Sequence, residues 1–252
     1  MAVGNKRKSI SSQILASILV SAIYPMQNFP IMLINAMLAP FSFLLVITFI
    51  SHGTLLGVAI IGALVMTTVS AGMALQADLS HFKNDIRLQD MVVSSPTSAI
   101  VYIIGMGLSE LIYFLPNIII LAILAVIFMN LTATAVLTIA VVMTIMFIFS
   151  ITLSFMLSTL TVDIIQSWAF TNMVSTLLST LPPVYYPITY IPMPWRYLAY
   201  LSPTTYAAQL AQSAAGFIAL SPTNILADWV ILVVVAIVML IIGVKRTRWR
   251  EP

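Results

Sequence analysis

The chain has 252 residues, 61% of them hydrophobic and 7% charged, with a net charge of +3 and a mean hydropathy of +1.11. A soluble domain carries about 25% charged residues, so this composition excludes a water-facing globule; it gives an integral membrane protein with room for roughly six spans of about 20 residues. The absence of cysteine excludes disulfides, thiol catalysis and Cys-based metal sites, and the small excess of Lys and Arg speaks to orientation in a bilayer, not to nucleic acid.

Residues 1–8 are polar and hold the basic cluster Lys6, Arg7 and Lys8. No small-residue cleavage site follows, and no removable signal peptide is expected. Residues 9–24 are apolar but short. Ser9, Gln13, Ser17 and Ser21 fall on one helical face and Ile10, Ile14, Ile18 and Ala22 on another, the pattern of a helix lying in the membrane interface.

The first span is expected over residues 31–50, interrupted by Pro40, with a tight turn at His52 and Gly53. The second covers 54–75; its Gly57, Gly62, Ser70 and Gly72, with Gly53, either form a small-residue face for close helix packing or merely reflect composition. A third span over 98–129 carries Glu110 and a kink at Pro116. Glu110 is the one clear intramembrane ionisable group, read either as a structural carboxyl or as an ion-coupling group. Asn130 to Thr132 turns the chain into a fourth span over 133–160, and a polar loop with Asp163 leads to a fifth over 167–181. The sixth, over 229–244, precedes a basic tail of Lys245, Arg246, Arg248 and Arg250.

Two stretches break this pattern. Residues 78–96 hold Asp78, Lys83, Asp85, Arg87 and Asp90, five of the chain's 17 charged residues (ten Lys and Arg, seven Asp and Glu), whereas no charge occurs between Lys8 and Asp78. Leu75, Leu79, Phe82 and Ile86 recur there at i, i+4, i+7 and i+11, one apolar row on a helix. This island is either a docking element for a soluble partner or a plain hydrophilic connector. Residues 182–222 contain Pro182, Pro183, Pro187, Pro192, Pro194 and Pro203 and six of the nine tyrosines, around Trp195 and Arg196. That is too much proline for a regular span and too apolar for a solvated loop. Two short helices dipping in from outside, over 194–202 and 203–217, fit it; they either cap the external end of a pathway or lie as an aromatic interfacial loop.

Nine of the ten Lys and Arg lie in the two terminal clusters and the island. Basic residues near span ends favour the cytoplasmic side, so all three belong there and the number of spans is even. The expected architecture is one all-α transmembrane domain over 1–252: six transmembrane helices, an N-terminal interfacial helix at 9–24, a cytoplasmic loop at 78–96 and an external re-entrant segment at 182–222.

No G-x-x-x-x-G-K-[ST] phosphate loop occurs, and no His and carboxylate constellation points to hydrolysis or a metal. The chain looks like a membrane half without its motor. It resembles the membrane permease subunits of ABC-2 type transporters, with a type V exporter-like layout. The likeness rests on the basic N-terminus with its interfacial helix, and on Lys83 to Asp90 running into Val93-Ser-Ser-Pro96. It rests further on Leu181-Pro-Pro-Val-Tyr-Tyr-Pro187 leading to Pro194, Trp195, Arg196, Ser202, Pro203 and Tyr206, and on the basic tail. Ser202 stands where the family usually has Asn.

The resemblance implies a separate ABC ATPase on the cytoplasmic face that holds ATP and Mg, with no cofactor and no enzymatic activity in this chain. It implies a second permease chain, identical or homologous, in the bilayer of the plasma membrane, with both termini cytoplasmic and transport outward. On that basis Leu79, Phe82, Lys83, Asp85, Ile86, Arg87 and Asp90 are expected to couple to the ATPase. Pro187, Tyr190, Pro194, Trp195, Pro203 and Tyr206 are expected to form an external gate. The competing readings are an ATP-independent channel or ion-coupled carrier using Glu110, and an assembly subunit with no pathway of its own.

Overall fold

The computed structural model describes residues 10–84, 99–161 and 163–246, and every regular element among them is helical. In order these are α1 (Ile10–Ile18), a π-helical turn (Leu19–Ile23), α2 (Tyr24–Asn28), α3 (Pro30–Ile50), α4 (Leu56–Asn84), α5 (Ala99–Phe128) and α6 (Ala133–Ser158). They are followed by α7 (Ile164–Thr180), a 3-10 turn (Ile188–Tyr190), α8 (Arg196–Ala199), α9 (Pro203–Ala214) and α10 (Pro222–Arg246).

Local chemistry sets the helix ends. Pro30 and Pro203 occupy the first turns of α3 and α9, where a missing N–H costs nothing. Gly53, at φ +83°, donates its N–H to the Thr48 carbonyl at 2.8 Å and closes α3 into the expected turn. Thr132 caps α6 by accepting from the Ala135 N–H at 3.2 Å, and Asp163 caps α7 by accepting from the Gln166 N–H at 2.6 Å. Pro40 and Pro116 lie inside α3 and α5, and both helices continue through them.

α4 is the hub of the bundle. Its sequence is apolar on all sides, and a helix of that kind must be surrounded. Its apolar stretch is 89% buried, against 11–33% for the other long helices. It packs against α3, α5, α6, α7 and α9, while α10 packs on α6 and α9, and α1 on α5. Ile60, Ile61, Val65 and Met73 of α4 meet Leu121, Met146 and Leu232 in the main core. The small residues of α4 serve close packing, but not along one face toward one partner. A Cβ at Gly57 would overlap the Phe217 ring, one at Gly62 the Val184 carbonyl, and one at Gly72 the Ser150 side chain on α6.

Among the described residues, six helices are long and apolar enough to cross a membrane: Ile10–Asn28, Leu33–Ile50, Leu56–His81, Ile104–Phe128, Ala133–Ser158 and Pro222–Gly243. The number agrees with the expectation; the membership differs. The N-terminal stretch qualifies because α1, the π-helical turn and α2 follow one another without a break into 19 residues. The expected fifth span is α7, with 17 residues; at 1.5 Å per residue it reaches about 26 Å, short of the roughly 30 Å hydrocarbon thickness.

Side-chain bonds fix which ends lie together. The Ser80 hydroxyl donates to the Asp163 carbonyl at 3.3 Å, and the Ser167 hydroxyl to the Gln76 carbonyl at 3.2 Å. Gly243, near the end of α10, lies against Thr152 in the second half of α6. The end of α4, the start of α7 and the end of α10 therefore share one end of the bundle. Gly57 and Gly62 near the start of α4, by contrast, meet Phe217 and Val184, which places the proline- and tyrosine-rich segment at the other end.

Candidate functional site

The charged island does not begin as a loop. α4 runs unbroken from Leu56 through Asp78 to Asn84, so the first residues of the island are the last turns of the central helix. This corrects the reading of Leu79. It is 5% exposed and packs with Leu75, Tyr102 and Met106 inside the chain's own bundle, so it is not available to fill a groove on a partner. The physical reason is that the apolar row starting at Leu75 is still inside the bundle one turn later. The side chains of Phe82 and Lys83, and the residues Asp85, Ile86, Arg87 and Asp90, lie outside the described residues.

Asp78 also departs from expectation. It faces Glu110 of α5, and the two side chains share a hydrogen bond. Glu110 is 4% exposed and Asp78 is partly buried. An ionised carboxylate only accepts hydrogen bonds, so a bond between two carboxyls needs a proton on one of them. The pair lies on the wall of a cavity of about 710 Å³. Ser21 and Pro25 close it from the N-terminal helices, Ile31 and Asn35 from α3, His81 from α4, Tyr113 from α5 and Trp168 from α7. Ser21 belongs to the π-helical turn, and its hydroxyl meets the Met106 sulfur at 3.5 Å. Such single π turns recur where a helix is adapted to a function. Sequence reasoning singled out Glu110 but assigned Asp78 to water. The missed signal was Asp78 and His81 sharing a helix face that flanks Leu79.

The segment between α7 and α10 is folded into the opposite end of the bundle. Val184 and Tyr185 are buried, and Tyr185 stacks on Phe43 of α3 with ring centroids 5.1 Å apart and planes 18° apart. Burial pushes the Tyr185 phenol well above its ordinary range. The Thr204 hydroxyl donates to the Leu178 carbonyl at 2.9 Å, the Gln212 amide to the Val184 carbonyl at 3.0 Å, and the Thr205 hydroxyl to the Ala199 carbonyl.

The six residues assigned to a gate differ in their exposure. Pro187 is buried, Pro203 and Tyr206 are half-buried, and Pro194 is exposed with Tyr190 and Trp195. The Tyr206 hydroxyl is tied back to the Tyr200 carbonyl at 2.8 Å. Exposed aromatics beside a buried anchor suit a headgroup-level collar. Arg196 holds the collar in shape: its Nε donates to the Ile191 carbonyl at 2.6 Å and its Nη2 to the Thr189 carbonyl at 2.8 Å. Arg196→Ala is expected to lower stability by about 2 kcal/mol, read as a fall in the unfolding midpoint of the detergent-solubilised protein. Arg196→Lys should rescue little, because one ammonium lacks the fork that reaches both carbonyls.

Asp228 of α10 escaped sequence reasoning altogether. It is 6% exposed, and its Oδ2 has no hydrogen-bond partner among the described residues. Burial first, and then the Asp228 carboxylate and Tyr200, push the Tyr206 phenol up, so that it remains a donor.

A family model described as ABC-2 type transporter matches residues 25–215, more than half of the chain. No curated protein matches the chain.

Proposed function

This chain belongs to the ABC-2 type transporter family and is a multi-pass membrane permease component of an ABC-type transporter; from that premise we propose that it works as one of two permease chains driven by a separate ATPase. The partner ATPase holds ATP and Mg, and the membrane domain of this family is typically a non-catalytic subunit. Two copies, or this chain and a homologue, enclose a pathway in the plasma membrane, with both termini cytoplasmic and transport directed outward.

The observation that carries the reading is the continuity of α4. One helix passes from the buried centre of the bundle to Asn84, within the charged island, so a force applied to the island acts on the core. The end of α4, where the island begins, shares its end of the bundle with Asp163 and with the end of α10, which carries Lys245 and Arg246. That arrangement agrees with a cytoplasmic docking face.

Docking is tested by capture of the ATPase on the purified chain. Phe82→Ala combined with Arg87→Ala is expected to weaken capture by about 2 kcal/mol or more, roughly thirtyfold. Equal recovery on wild type and variant would remove the docking role. The shared hydrogen bond of Asp78 and Glu110 is the one observation that favours an ion-coupled carrier. Transport that ignores ATP yet fails in Glu110→Gln would establish that reading instead.

A further inference from the structure

We propose that the cavity beside α4 and α5 binds a lipophilic organic cation, with Asp78 and Glu110 as its anionic wall. The inference rests on the permease reading above and names the chemical class that such a permease selects. The volume, about 710 Å³, falls in the range of small-molecule sites, roughly 300–1,000 Å³.

Its lining has two parts. Pro25, Ile31, Ala36, Ala74 and Ala77 offer hydrocarbon, and Tyr113 and Trp168 offer aromatic faces of the kind that attract cations. Against them stands a carboxyl buried to 4% exposure whose hydrogen-bonding partner is another carboxyl. Two such groups are held together by one proton, and an organic cation can take the place of that proton. The exchange balances: one positive charge enters and one proton leaves, so the site keeps its net charge and binding releases acid.

The titratable groups around the pair are few. α4 contributes His81 beside Asp78, and α5 contributes Tyr102 and Tyr113. The lining from the N-terminal helices, α3 and α7 brings Ser21, Asn35 and Trp168, none of which titrates. No Lys or Arg lines the cavity among the described residues. Acidification therefore acts in one direction: it removes negative charge from the carboxyls, which weakens a bound cation. Asp78 lies on α4 less than two turns before Asn84, so occupancy of the cavity and movement of the island share one rigid element.

The test is equilibrium binding to the full-length chain in nanodiscs, without an ATPase, using tetraphenylphosphonium and its anionic counterpart of the same size, tetraphenylborate. Saturable binding of the cation alone is expected, weakened at least about tenfold in the double variant Asp78→Asn, Glu110→Gln, whose side chains keep the original shapes. Binding of the cation by wild type must also weaken on acidification, a measurement that holds even where a variant does not fold. Equal cation affinity in wild type and folded double variant, indifference to acidification, or equal binding of the anion overturns the site. Because no ATPase is present, intact charge-selective binding beside failed ATPase capture overturns the docking reading and leaves the site standing. Intact capture with no selective binding does the reverse.

Discussion

Replacing Gly62 with valine is expected to destabilise the protein by about 3 kcal/mol or more. A Cβ at this position would overlap the Val184 carbonyl and approach the Tyr185 Cα at 3.0 Å. Both obstacles are backbone, and neither can rotate away. The Val184 carbonyl is itself fixed, because it accepts the Gln212 amide at 3.0 Å, and Tyr185 is held by its stack on Phe43. Relief of the clash must therefore pull α4 away from the 182–185 turn and break the links from that turn to α9 and α3. Gly57 supplies the contrast. The three atoms nearest its added Cβ all belong to the Phe217 ring, the far end of a side chain that is 39% exposed. Gly57→Ala should cost less than about 1 kcal/mol. Unfolding midpoints of the two variants in the same detergent check the ordering, and a Gly57 variant less stable than the Gly62 variant would contradict it.

These two glycines also show what could be read in the chain and what could not. Their presence on α4 is visible in the sequence, and so is the idea of close packing. Which atoms they approach is not, because Gly62 and Val184 are brought together by the return of a segment more than a hundred positions later. Features governed by neighbours in the chain were legible. The turn at Gly53, the cap at Thr132, and the start of α9 at Pro203 follow from local backbone chemistry. The number of apolar helices follows from composition.

Features that depend on the rotation of one helix against another were not legible. The charge of Asp78 argued for water, yet α4 carries it to face Glu110, and the pair exists only because α4 and α5 pack side by side. Leu79 was misread for the same reason: periodicity gives a row of apolar residues without saying where along that row the bundle ends. At the N-terminus, the polar face of Ser17 and Ser21 suggested the interface. In the structure Ser21 faces Met106 of α5 and the cavity, partners that the spacing of the serines does not name.

The position of Ser80 gives the sharpest separation between docking and work. Ser80→Pro is expected to leave ATPase capture and ATP hydrolysis in place while transport falls by about tenfold or more. Proline removes the helical N–H bond to the Gln76 carbonyl, and its ring clashes with that carbonyl, at a cost of about 3 kcal/mol. The carbonyl cannot yield, because the Ser167 hydroxyl of α7 already bonds to it at 3.2 Å. The break therefore bends the end of α4 and leaves the bundle above it alone. Under the proposed docking, Phe82, Arg87 and the rest of the island stay in the chain to meet the ATPase, but they no longer pull on a continuous helix. Ser80→Ala is the control. It removes the bond from the hydroxyl to the Asp163 carbonyl, worth about 1 kcal/mol, and keeps the helix whole. If transport and hydrolysis fall together in the proline variant, α4 and the docking face act as one unit. If transport persists, force reaches the pathway by some element other than α4.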